Sequence, residues 1–243
     1  MASTSEIGHA KNVANFQDLI EFVTAYGATY NPSKNSLKLP QLIALKASAD
    51  ATLADVITKN TNYNNKVNER ITAFSGLKSL STRLVNALQT TDATTETIGN
   101  AKTFNRKMQG KKASSSQTPT DPNTPAPNTI STSQQSYDQL IQHLAGLTSI
   151  LEAETSYTPN ETDLQVATLQ TKIADLTAKN TAVATAYASI SNSRIARNET
   201  LYSSSTGLVE TANEVKKYIK SVFGASRPQF AQVKGIQFKI IKN

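Results

Sequence analysis

The stretch LPQLIALKASADATLADVITKNTNYNNKVNERITAFSGLKSLSTRLVNAL, residues Leu39 to Leu88, decides the fold. Its apolar residues fall alternately four and three apart, through Leu39, Leu42, Leu53, Val56, Tyr63, Val67, Phe74, Leu77, Leu84 and Leu88. That spacing keeps one stripe on one side of a helix and makes it the seam of a helical bundle or coiled coil. Eleven of the fifteen seam positions are apolar, and Lys46, Asn60, Arg70 and Ser81 interrupt them. Pro40 stands near the start, where a missing amide hydrogen costs least.

The same frame returns 127 residues later, through Val166, Leu169, Ile173, Leu176, Val183, Tyr187, Ile190, Leu201, Leu208 and Val215. Each run is announced by a landmark at the same offset, Tyr30-Asn31-Pro32 and Tyr157-Thr158-Pro159. Upstream, Phe16-Gln17-Asp18-Leu19-Ile20 resembles Tyr137-Asp138-Gln139-Leu140-Ile141 at an offset of 121. Self-similarity of this length marks a duplicated unit. The expected fold is therefore all-α, an elongated antiparallel four-helix bundle built from two tandem short-helix, long-helix copies.

The expected organisation is a flexible lead over 1–11, a first helical copy over 12–112, and a linker over 113–132 carrying Pro119, Pro122, Pro125 and Pro127. A second copy follows over 133–227, and then a basic tail over 228–243. In that tail Ile236, Phe238 and Ile240 alternate with Gln237 and Lys239, a strand-like pattern able to dock on the bundle or add to a partner's sheet edge. The first short helix is expected over Asn12 to Thr29. A short helix of roughly 20 residues covers less than half of one of roughly 50 at about 1.5 Å per residue, so something else must cover the distal seam. The frame runs through Gly76 and Gly207, which favours continuous or kinked long helices, with a break and fold-back at those glycines as the alternative.

Composition narrows the chemistry. Hydrophobic residues make up 38% of the chain and aromatics 6%, which suits narrow helix-to-helix seams better than a thick interior. With no cysteine there is neither a disulfide nor a thiolate site. The two histidines, His9 and His143, have no neighbouring ligand at metal spacing, and a solvated or satisfied side chain is expected of each. Gly110-Lys111-Lys112 lacks the setting of a phosphate loop. No catalytic group, metal, cofactor or small-molecule substrate is expected. No run reaches the roughly 20 apolar residues that span a bilayer. Without an apolar leader over Met1 to Lys11, a cytoplasmic chain is expected, with signal-independent export as the alternative.

The net charge of +7 is unevenly placed. No acid occurs from Thr97 to Thr120, where Lys102, Arg106, Lys107, Lys111 and Lys112 contribute +5. None occurs after Glu214, where Lys216, Lys217, Lys220, Arg227, Lys234, Lys239 and Lys242 contribute +7. Each copy thus ends in a basic segment, and the two are related, FNRKMQG against FAQVKG. Cations at helix C-termini complement the helix dipole, and the same cations suit an anionic partner. Arg70 and Arg197 hold the same seam position. Each either extends its guanidinium to water along an apolar stem or forms a polar layer that fixes register, as do Asn60 and Asn180. The expected function is a non-enzymatic interaction or structural protein that binds protein partners or itself. Nucleic-acid binding through the basic segments is the alternative, and a membrane-active bundle is a more remote one.

Overall fold

The computed structural model describes residues 4–110 and 135–241, and among these the fold is all-α with no strand. Eight α-helices follow in chain order: α1 (Thr4–Ala25), α2 (Leu39–Phe74), α3 (Leu77–Leu88), α4 (Thr95–Gln109), α5 (Tyr137–Ala153), α6 (Val166–Tyr202), α7 (Leu208–Phe223) and α8 (Pro228–Lys234). The Pro-rich segment 113–132 and Lys111 and Lys112 lie outside the described residues.

Packing divides the chain into two compact units. The first joins the residues up to Tyr63 with those from Ala186 onward. Its core gathers Phe16, Leu19, Ile20 and Val23 of α1, Leu42 of α2, Leu201 of α6, Val215 and Ile219 of α7, and Val233 of α8. Here α1 packs against α7 and α8. The second unit, Asn64–Thr185, is centred on Leu84, Leu88, Met108, Leu144, Leu147, Leu151, Leu169 and Leu176, with α5 packed against α3 and α4. The distal seams therefore find their cover inside the chain: α7 is covered by the first short helix, and α3 by the second. The sequence boundaries at 112 and 133 follow chain order, whereas each compact unit takes helices from both halves.

In each unit the long elements run antiparallel. Tyr30 lies against Tyr218, Lys34 against Glu214, Asp55 against Ser193 and Tyr63 against Tyr187 in the first unit. Glu69 meets Lys179, Arg70 meets Asn180 and Arg83 meets Asp163 in the second. From one end of each run to the other, across the helix breaks, one number rises as the other falls. The helices are interrupted between Phe74 and Leu77 and between Tyr202 and Leu208, as the glycines allow, and each segment past its break keeps its antiparallel partner run. Gly76 carries the first interruption with a left-handed φ of 79°.

Two expectations are corrected. The lead over 1–11 is helical from Thr4, because His9 and Asn12 are buried and tied to distant residues by polar contacts that a hydropathy pattern does not register. The tail is not a strand: Pro228–Lys234 is helical, and 236–241 has no regular secondary structure. A ladder needs a neighbouring strand. None exists among the described residues.

Each seam is entered through the same lock. The Tyr30 hydroxyl donates to the Leu37 carbonyl at 2.7 Å and the Tyr157 hydroxyl to that of Leu164 at 2.9 Å, across 3-10 turns at Asn35–Leu37 and Thr162–Leu164. Burial pushes the Tyr157 phenol up to about 12, with the Glu161 and Asp163 carboxylates adding to it. Burial raises that of Tyr30 further, helped by Tyr218. An unfolded tyrosine ionises near about 10, so folding favours the neutral phenols. That stability is whole below pH ~10 and is lost as pH rises through the folded values.

Urea midpoints are accordingly expected to hold up to pH ~10 and then fall, and in Tyr30→Phe/Tyr157→Phe to be lower at neutral pH but flatter above pH ~10. A matched glycine pair tests the break. Gly76→Ala forces a left-handed Cβ and should cost about 1–2 kcal/mol. Gly99→Ala, at an exposed position within α4 that meets nothing within 4 Å, should stabilise by about 0.5–1 kcal/mol.

Candidate functional site

Three groups of side chains stand out. The first is a polar layer in the second unit's seam. Arg70 Nη1 donates to Asn180 Oδ1 at 3.0 Å, its guanidinium lies 4.0 Å from the Tyr137 ring centroid, and Asn180 Nδ2 donates to Asp138 Oδ1 at 2.7 Å. Beside it, Glu69 accepts from Lys66 at 2.7 Å and from Lys179 at 3.0 Å, and these two ammonium groups hold its carboxyl below the usual range. Asn180 thus reads an Arg and an Asp at once, which only one register allows. Arg197 is fully buried in the first unit, with Nε and Nη2 donating to Asn198 Oδ1 at 3.1 and 2.8 Å. Its guanidinium does not reach water, and the two equivalent arginines have different partners.

The second group is the basic surface. Lys102, Arg106 and Lys107 are exposed on α4, with Arg106 donating to Thr103 and Lys107 lying 5.6 Å from the Phe104 ring centroid. In the first unit Lys217, Lys220, Arg227, Lys234 and Lys239 are exposed. Lys220 lies 5.8 Å from the ring centroid of Phe230, and Lys234 follows Phe230 by one helical turn. The ion pairs between described residues engage Lys34, Lys46, Lys59, Lys66, Arg83 and Lys179. None engages a cation of the basic segments. Lys216 differs from its neighbours: half-buried, it donates to the Ile236 carbonyl at 2.7 Å, and burial lowers its pKa.

The third group is a cradle that hydropathy did not reveal. Asn12 Nδ2 donates to the Lys239 carbonyl at 2.7 Å while its Oδ1 accepts from the Lys239 amide at 3.0 Å. Asn15 Nδ2 donates to the Gln237 carbonyl at 2.6 Å. Both asparagines are buried, three apart on α1, and they read main-chain groups two residues apart in the tail. The sequence signal was present, as two amides on the face that carries Val13, Phe16 and Leu19. Next to the cradle, buried His9 meets the Tyr202 hydroxyl through Nδ1 at 2.6 Å. His143 is also buried, beside Phe104.

A shallow groove of about 540 Å³ in the second unit is lined by Ser75, Gly76, Arg83, Asp163, Lys172 and Asp175. Its Arg83 is held by Asp163, which keeps that carboxyl below the usual range. Among the described residues no three His, Cys, Asp or Glu side chains gather as metal ligands, and no helix is long and apolar enough to cross a membrane. No protein-family model matches the chain, and neither a curated protein nor a solved structure is significantly similar to it.

The two seam asparagines are expected to differ sharply. Asn180→Ala strips Arg70 and Asp138 of a partner and should cost about 1–3 kcal/mol in a denaturant titration. Asn60 makes no side-chain hydrogen bond among the described residues, and Asn60→Ala should stay within about 0.5 kcal/mol of the parent.

Proposed function

We propose that the protein is a non-enzymatic interaction or structural protein, a bundle of two tandem short-helix, long-helix copies whose basic segments engage an acidic protein surface. One observation carries this: Lys102, Arg106, Lys107, Lys217, Lys220, Arg227, Lys234 and Lys239 are exposed and take part in no ion pair among the described residues, while Lys34, Lys46, Lys59, Lys66, Arg83 and Lys179 are each paired with an acid. Unpaired surface cations raise the local potential and steer an anionic partner. The repeated tyrosine lock and the shared 127-residue offset support the tandem reading, since the same bond opens both seams.

A second reading, nucleic-acid binding, draws on the lysines set over Phe104 and Phe230, because cation and aromatic together form a platform for bases and phosphates. One experiment separates the two. Full-length protein is titrated with polyglutamate and with single-stranded DNA at low and moderate salt. Polyglutamate binding that weakens with salt, and that drops about tenfold, or about 1.4 kcal/mol, in Lys217→Gln/Lys220→Gln/Lys234→Gln, is the expected result. Binding of DNA alone would transfer the assignment to nucleic acid. Binding of neither at low salt would overturn both.

A further inference from the structure

We propose that the cradle on α1 is an extended-peptide-binding site whose ligand is the segment 236–241, and that a second copy of this chain can supply that segment. This deepens the reading above by naming a partner. It stands apart from the basic surface, because the cradle's contacts are made to peptide backbone and apolar side chains.

Recognition in the cradle has two parts. Asn12 takes both main-chain groups of Lys239, the pair of bonds a neighbouring strand would make, and Asn15 and Lys216 take the carbonyls of Gln237 and Ile236. Ring contacts supply the rest: Phe238 meets Phe16 edge-on at 6.5 Å, and Lys216 lies 5.8 Å from its ring centroid. Alternate apolar residues in an extended backbone are what such a site selects, as in strand-addition binding. Asn12 is itself fixed by the Tyr202 hydroxyl at 3.2 Å, so the site is built by α1, α6 and α7 apart from the segment that fills it.

The ligand segment is poorly tied to its own body. It follows a helix of seven residues through Gly235, which is exposed and has nothing within 4 Å of its Cβ position. Three of its carbonyls and one of its amides are held by side chains, without the cooperative ladder of a helix or sheet. Ile240 stays 65% exposed. Such an element opens before the helical core.

When it opens, the same segment from another copy restores every contact, which is why exchange of an identical element costs little. A short tether gives the chain's own segment an effective concentration of about millimolar, so exchange grows as copies crowd together. It is a heterologous contact, cradle of one copy to tail of the next.

The chain has no cysteine, so single cysteines report exchange cleanly. A Cβ at Gly8 would lie 3.2 Å from Ile241 Cγ1, where the sulfur of a cysteine at 241 would sit, within disulfide reach. The double variant Gly8→Cys/Ile241→Cys should close into a monomeric disulfide. Full-length Gly8→Cys mixed with full-length Ile241→Cys under mild oxidation should yield the mixed dimer, increasing with protein concentration. Its yield should stand several-fold above Gly8→Cys mixed with Ser221→Cys, an exposed site on α7. A mixed dimer no more abundant than this control, with the double variant closing normally, would show that the segment stays in its own chain and overturn the exchange. A double variant that fails to close would overturn the cradle itself. Neither failure bears on polyglutamate binding, and loss of that binding leaves the cradle intact.

Discussion

A tyrosine hydroxyl on a carbonyl seven residues ahead governs where each seam begins. Tyr30 bonded to Leu37, and Tyr157 bonded to Leu164, close a turn that sets the first residue of the following helix, Leu39 or Val166. Register follows from that start, because a seam of alternating threes and fours offers several near-equivalent pairings when its side chains are small. In the first unit the locked turn also meets the partner run directly: Tyr218 is perpendicular to Tyr30, and Glu214 pairs with Lys34. A buried carbonyl left without its hydroxyl costs about 1–3 kcal/mol, enough to matter to a thin core.

Threonine shows how such a thin core remains helical. Hydroxyls of Thr58, Thr61, Thr171, Thr177 and Thr200 each donate to the carbonyl four residues earlier, at 2.8–3.0 Å. The bond satisfies a hydroxyl on an exposed face of the long helices and leaves the seam to the aliphatic residues. Register then needs polar groups with a single correct partner. Asn180, between Arg70 and Asp138, is such a group in the second unit, and the Ser193 hydroxyl on Asp55 at 2.6 Å is one in the first.

The helical frame and the paired landmarks were legible because they repeat, and repetition survives the substitution of individual residues, but the unbroken frame favoured continuous helices where the chain is interrupted near Gly76 and Gly207. What covers each seam was not legible. A periodic stripe states that a face is buried and leaves its partner open, so the packing of α1 on α7 and α8, and of α5 on α3 and α4, had to come from three dimensions. Polar residues at buried positions were missed for a related reason. His9, Asn12 and Asn15 are hydrophilic by type, and their burial depends on partners about 190 to 230 residues away. The alternation of Ile236, Phe238 and Ile240 belongs to a segment in which Ile236 and Phe238 pack on the first unit's core and Ile240 stays exposed. It misled about the ladder, because the groups that complete its backbone belong to a helix.

The related basic segments separate what packing demands from what is free to diverge. Met108 and Val233, each two residues before a glycine, are both fully buried, and a lysine lies over Phe104 as another does over Phe230. Up to those glycines the two ends solve one packing problem, that of closing over a short helix. Gly110 then adopts a left-handed φ of 74° and caps a fifteen-residue helix, while Gly235 stays right-handed and passes the chain into the cradle of Asn12 and Asn15. An irregular segment needs two buried amides and a lysine to hold it, where a helix satisfies its own backbone. Where α8 ends, the side chains of Asn12, Asn15 and Lys216 take over the backbone groups that a longer helix would have satisfied internally.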